Sequence, residues 1–237
     1  MRALATIIRF ALSLALTAAL LAGCVAYVAL SAPAPTAATP PGFPASEYER
    51  AAAGGAPVYR IDAATSSVVI EVRRAGSLAR LGHDHVVAGY DIHGFIRPDD
   101  ARADLYIALD KLVVDESRLR DTAGFDTTPS ADAIEGTRRN MLGRVLEADR
   151  FPFALVAVRG LDDHHVASVA LTLHGTTRTM PVALDVSVAD SEAIVAGAFT
   201  LKQTDFGIVP LSLFGGAIEV QDAVDIRFRL RAIRGAH

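Results

Sequence analysis

Residues 167–188 read ASVALTLHGTTRTMPVALDVSV, two alternating apolar runs around a polar corner. Val169, Leu171 and Leu173 share one face of the first run, opposite Ser168 and Thr172. Val182, Leu184, Val186 and Val188 share one face of the second, opposite Asp185 and Ser187. Successive side chains of a strand point to opposite sides, so alternation with period two marks a strand with one buried face. Gly175 and the threonines beside it supply the reversal. The stretch is a β-hairpin, and most of the chain after residue 57 repeats its pattern.

Downstream, residues 194–202 form another strand. Residues 224–232 set Val224, Ile226, Phe228 and Leu230 against Asp225, Arg227, Arg229 and Arg231. The arginine row reads as a solvated outer face rather than a phosphate site. Upstream, strands are predicted at 58–62, 66–73, 86–96 and 103–114. Gly89 and Gly94 mark a bulge or bend in the third of these. Residues 153–158 are apolar on both faces, which asks for cover on the outer side. A helix is predicted over 130–146, with Ile134, Met141, Leu142 and Val145 on one stripe, placed as a plug over one end. Short strands joined by tight turns define an all-β fold, an antiparallel sandwich or barrel. Closure into a barrel removes exposed edges.

Composition narrows the function. The 237 residues are 51% hydrophobic and 21% charged, with a formal charge of -4. That apolar content excludes a disordered chain, and the absence of a basic excess argues against a nucleic-acid partner. Aromatic residues make up 6% and Trp is absent, so no stacking platform is indicated. A single Cys excludes an intrachain disulfide framework. No G-x-S-x-G, second Cys or H-E-x-x-H is present, so the reading is not an enzyme.

Residues 1–30 form a leader. Arg2 and Arg9 precede the uncharged apolar run 10–22, the pattern of an export signal. Leu21-Ala22-Gly23-Cys24 resembles a bacterial lipobox, which implies cleavage before Cys24 and its lipidation. The apolar character continues to Leu30, so an uncleaved anchor spanning the membrane is the competing reading. A plain secreted form is the third. Each reading places the rest of the chain in the periplasm or cell envelope, tethered to a membrane in the first two. Residues 31–56, rich in Ala, Pro, Thr and Gly, read as a tether, and 57–237 as the folded domain.

Four stretches carry a family resemblance: 58–62 (VYRID) with 67–72, 146–152 (LEADRFP), 171–177 (LTLHGTT) and 201–208 (LKQTDFGI). In this order they resemble the YceI-like family. The resemblance implies a lipocalin-like extended antiparallel barrel of about eight strands, with one helix near one end. It also implies binding or carriage of a long apolar chain, such as a polyisoprenoid or quinone-precursor lipid, with no other cofactor. Two stretches depart from the family pattern: 138–142 (RRNML) and 81–87 (LGHDHVV). The residues expected to face such a ligand inside the barrel are Val72, Leu105, Ile107, Leu171, Leu184, Phe199 and Phe228. The apolar stretch 206–214 is expected at the mouth, with Ile208, Val209, Leu211, Leu213 and Phe214 lining or lidding the opening.

The alternative centres on histidines. In a strand His83 and His85 project to the same side, and His93 shares their parity. They form a candidate metal set for a metal- or redox-accessory protein. A self-bonded polar loop and a proton-handling or quinone-head site are the other readings. Beyond a lipid and the membrane, a membrane cytochrome or a second copy of the chain are further candidate partners.

Overall fold

The computed structural model describes residues 39–235. The leader, Cys24 and the first part of the tether lie outside the described residues. In chain order the strands are β1 (Tyr59–Ile61), β2 (Ser67–Val72), β3 (Arg74–Ala75), β4 (His85–Gly89), β5 (Ile92–Arg97), β6 (Arg102–Ala108) and β7 (Val113–Val114). They continue with β8 (Phe153–Leu161), β9 (Val166–Leu173), β10 (Thr176–Val188), β11 (Glu192–Lys202), β12 (Ser212–Leu213), β13 (Ile218–Val220) and β14 (Ala223–Arg234). The helices are α1 (Ala45–Ala53), α2 (Ser117–Thr122) and α3 (Ala131–Asn140), and α3 runs into a π-helical turn at Met141–Val145.

Strands β1, β5, β6, β8, β9, β10, β11 and β14 pair in that order, and β14 pairs back to β1, which closes the ring. Every pairing in it is antiparallel. Three staves are bent. β2 continues β1 along β14, β4 continues β5 along β2, and β7 continues β6 along β4. The result is an eight-staved up-and-down barrel in which sequence neighbours lie side by side and only the seam between β14 and β1–β2 joins distant segments.

Local chemistry explains the bends. Between β1 and β2, the Asp62 carboxylate accepts from Ala64 N and Thr65 Oγ1, which fixes a 3-10 turn. In β5, Gly94 has φ +145, and a Cβ there would sit 2.2 Å from the Asp104 carbonyl oxygen. Only glycine allows β5 and β6 to pair through that point. The hairpin of residues 167–188 forms with Leu173 opposite Thr176, leaving His174 and Gly175 as a two-residue turn with φ of 51 and 72. Positive φ at both central residues is the type I′ pattern that matches strand twist.

The barrel has two unlike ends. The turns at 98–101, 162–165 and 189–191 crown one. The other is covered by α3, where Ile134, Met141 and Leu142 pack on a core of Leu109, Leu112, Val114 and Ala154. The segment 203–222 and a small sheet of β12, β13 and β3 lie at that same covered end. On the outer surface the arginine row finds cross-strand carboxylates: Arg231 donates to Glu192 at 2.6 Å and to Asp62 at 3.2 Å, and Arg227 to Glu71.

Two expectations are corrected. The described residues hold three α-helices rather than one. One of them, α1, falls within the predicted tether, and the compact unit begins at Pro40. The cause is aromatic anchoring. Tyr48 and Phe43 pack with Val58 and Phe95, and the Tyr48 hydroxyl donates to Asp104 Oδ2 at 2.6 Å. Burial, then that bond, hold the Tyr48 phenol well above its ordinary pKa. The same segment covers the outer side of β6 and β8, because Phe43 meets Tyr106 at 4.8 Å and Tyr106 meets Phe153 at 5.9 Å. The outer cover that residues 153–158 ask for comes on that face from the chain preceding β1.

Candidate binding cavity

Inward-facing rows from all eight staves leave a space that they do not fill. The cavity measures about 420 Å³, within the range of small-molecule sites. The seven apolar residues that define the hairpin, Val169, Leu171, Leu173, Val182, Leu184, Val186 and Val188, all line it. Val68, Ile70, Ile92, Ile96, Val156, Val158 and Val195 line it from other staves. Each lies at an inward position of an alternating strand, so one sequence signal accounts for nearly the whole wall. Arg97 and Arg102 are the charged residues in the lining.

The cavity meets solvent at the end crowned by turns. There its lining includes Pro98, Ala101, Leu161 and Val188, and the last two are 38% and 47% exposed. At the covered end it stops against Leu109, Leu112 and Leu201, all buried, and against Leu146 at the end of the π-helical turn. The space is therefore a blind tube. Its floor is fixed by Glu147 and Phe151. Glu147 Oε1 lies 3.2 Å from His174 Nε2, and the Phe151 ring packs 4.7 Å from the His174 ring.

Of the residues expected to face a ligand, Leu105, Ile107, Leu171, Leu184, Phe199 and Phe228 line the cavity. Val72 packs instead in the apolar layers beneath it. The segment 208–214 lies at the covered end, away from the mouth. Ile208 is buried in the core there, whereas Val209 and Phe214 are 77% and 81% exposed, and neither these nor Leu211 and Leu213 line the cavity. The reason is topological: β11 runs from the open end to the covered end, so the chain leaving it at Lys202 emerges on the far side. Pattern reading missed the two arginines at the mouth, for which alternation offers no signal.

The histidines divide between two places. His83 and His85 lie at the covered end with ring centroids 6.2 Å apart. Asp115 Oδ2 is 2.6 Å from His85 Nδ1, while its Oδ1 accepts from Val86 N at 3.0 Å and from Arg120 at 2.6 Å. Burial opposes ionisation of Asp115, but the bonds from His85, Val86 and Arg120 outweigh it and hold its pKa below the ordinary value. Arg120 also donates to the carbonyls of Asp84 and Thr127. This network ties β4 to α2 and to the loop before α3. His83 Nδ1 is buried without a hydrogen-bond partner. His93 lies beyond the break at residues 90–91, stacked on Tyr106 and 2.8 Å from Asp91. The set of His83, His85 and His93 is therefore not assembled, because the break separates β4 from β5. Among the described residues no group of three His, Cys, Asp or Glu side chains is placed to hold a metal.

A closed antiparallel barrel around an apolar tube is a lipocalin-like fold. The sequence matches the YceI-like domain over residues 59–232, and the chain belongs to that family. Among curated proteins none matches the sequence. Solved structures share the fold, two of them as follows. A polyisoprenoid binding domain from Saccharophagus degradans, implicated in plant cell wall breakdown, superposes with a TM-score of 0.52 at 16% identity, covering 75% of this chain and 98% of that one. BcnA from Burkholderia cenocepacia gives a TM-score of 0.52 at 17% identity, covering 73% of this chain and 99% of that one.

Proposed function

We propose that this protein binds and carries a long apolar chain of polyisoprenoid type inside its barrel, without catalysis. The observation that carries this reading is the cavity of about 420 Å³ with an almost wholly apolar wall and one mouth. Water gains little in such a space, whereas each methylene moved into it from water contributes about 0.8 kcal/mol. A blind tube also suits a molecule threaded tail first. Family membership, and the polyisoprenoid binding domain among the structural neighbours, support the same ligand class.

The place of work in this proposal is the cell envelope. Arg2, Arg9, the apolar run 10–22 and Cys24 support a chain that is exported and held at a membrane, by lipid on Cys24 or by an uncleaved anchor. From there the barrel takes its ligand from the bilayer or protects it between membranes.

The test is mass spectrometry of lipids carried by the purified full-length chain, compared with Val156→Trp, which puts a large side chain into the tube. Isoprenoid lipids enriched on the wild type and lost from the variant are the expected result. Identical lipid content in both proteins overturns the reading.

A further inference from the structure

Three large apolar side chains stand in water at the covered end. Leu81, Val209 and Phe214 are 62%, 77% and 81% exposed. The segments that carry them are joined. Leu78 N donates to the Ala217 carbonyl at 2.7 Å, β13 pairs with both β12 and β3, and a Cβ on Gly82 would lie 3.4 Å from Ile218 Cγ2. Phe214 begins the turn between β12 and β13, with φ of 52 there, 66 at Gly215 and 92 at Gly216. Positive φ is costly for a bulky residue, and here it holds a ring that no core receives. No charged residue stands between Asp205 and Glu219, and the exposed Arg80 adjoins Leu81.

These side chains stand on three separate turns and loops and form no groove. Their exposed surface is at most a few hundred Å², below the roughly 800 Å² per partner of a stable protein interface. Apolar tips beside a cation suit a bilayer interface, where rings and aliphatic groups sink below the head groups and a guanidinium meets phosphate. The path of the chain favours the same end. Along β6 from the mouth toward the covered end, Arg102 meets Glu47, Asp104 meets Tyr48 and Tyr106 meets Phe43. Traced backward from Tyr48, the chain therefore heads for the covered end. Between Cys24 and Thr39 stand fourteen residues, a reach of at most about 50 Å. We propose that the covered end docks on the bilayer that anchors the chain, with Phe214, Val209 and Leu81 in its interface and the mouth turned away. This inference rests on the envelope placement proposed above and is independent of the ligand.

The chain contains no Trp, so a single introduced indole reports one place. The test uses full-length Phe214→Trp and, on a turn at the mouth, full-length Asp163→Trp. Both are reconstituted in vesicles of phosphatidylcholine and phosphatidylglycerol, with and without bromine on the acyl chains. The Phe214→Trp protein should lose fluorescence to the brominated lipid, while the Asp163→Trp protein keeps its emission. Val209→Trp repeats the measurement if the 214–216 turn does not tolerate the larger ring. Emission from Phe214→Trp and Val209→Trp that bromine leaves untouched overturns the docking. Quenching of Asp163→Trp instead puts the mouth on the bilayer and also overturns it. A blue shift in Phe214→Trp that grows with protein density, without quenching, gives the patch to a second copy of the chain and overturns it too. Full-length chain that fails to float with the vesicles overturns the envelope placement itself.

Discussion

Asp115 shows how much one side chain holds in place at the covered end. It is buried and accepts from His85, Val86 and Arg120 together. Removing it leaves the Arg120 guanidinium buried without its carboxylate, so Asp115→Ala should cost about 3–5 kcal/mol in urea unfolding at neutral pH. A smaller loss would mean that the carbonyls of Asp84 and Thr127 suffice for Arg120. His83 governs a different window. Burial, then the charges of His85 and Arg120, hold its pKa below the ordinary histidine value of 6.5. As pH falls, the unfolded chain takes up this proton before the folded one does. The group's contribution is thus present above about 6.5 and is lost as pH drops through the folded value. Asp115, also lowered, follows the same sign further into acid. Thermal melts between about pH 7 and pH 5 should show falling stability, with a flatter slope in His83→Gln. An unchanged slope would remove His83 as its source.

At the scale of elements, the alternating strands were legible because a one-sided core forces period two. The hairpin of β9 and β10 was the clearest case, and its inward residues became cavity wall. What escaped pattern reading has a common cause: it depends on partners far away in sequence. Helix α1 looks like tether because its residues, Ala-Ser-Glu-Tyr-Glu-Arg-Ala-Ala-Ala, carry one large apolar side chain. Only contact with Phe95 and Asp104, some fifty residues on, reveals why it folds. The placement of 208–214 likewise follows from which way β11 runs, which alternation does not report. Two elements can be probed. Tyr48→Phe keeps the ring and removes the bond to Asp104, so it should cost about 1–2 kcal/mol and speed proteolysis near Gly54 and Gly55. Gly175→Ala forces a Cβ to 2.6 Å from the Phe151 ring at φ +72, and chemical denaturation should report a loss of about 1–3 kcal/mol.

For the molecule as a whole, the two ends divide the labour. The end with α3, His83, His85 and the small sheet is packed and hydrogen-bonded, and the end crowned by turns gives access. Changes at the covered end that spare the floor should leave ligand capture intact. Leu211→Ser with Leu213→Ser is therefore expected to bind an isoprenoid probe as the wild type does, whereas Val156→Trp loses it. Binding lost in the double variant would show that access runs through the covered end. The fold class and the wall of the site could be anticipated from residue pattern alone. Whether the wall encloses empty space could not, because alternation reports which way side chains point and not whether they meet.

The seam has a consequence for how the chain is made. Every stave finds a partner beside it in sequence, but the twelve residues of β14 must in addition stitch β11 to the first strands. During vectorial synthesis the growing sheet carries two raw borders until those residues emerge. The interval before they arrive is when a holding chaperone would matter most, and a nascent chain stalled ahead of Ala223 should be far more prone to clump than one released whole.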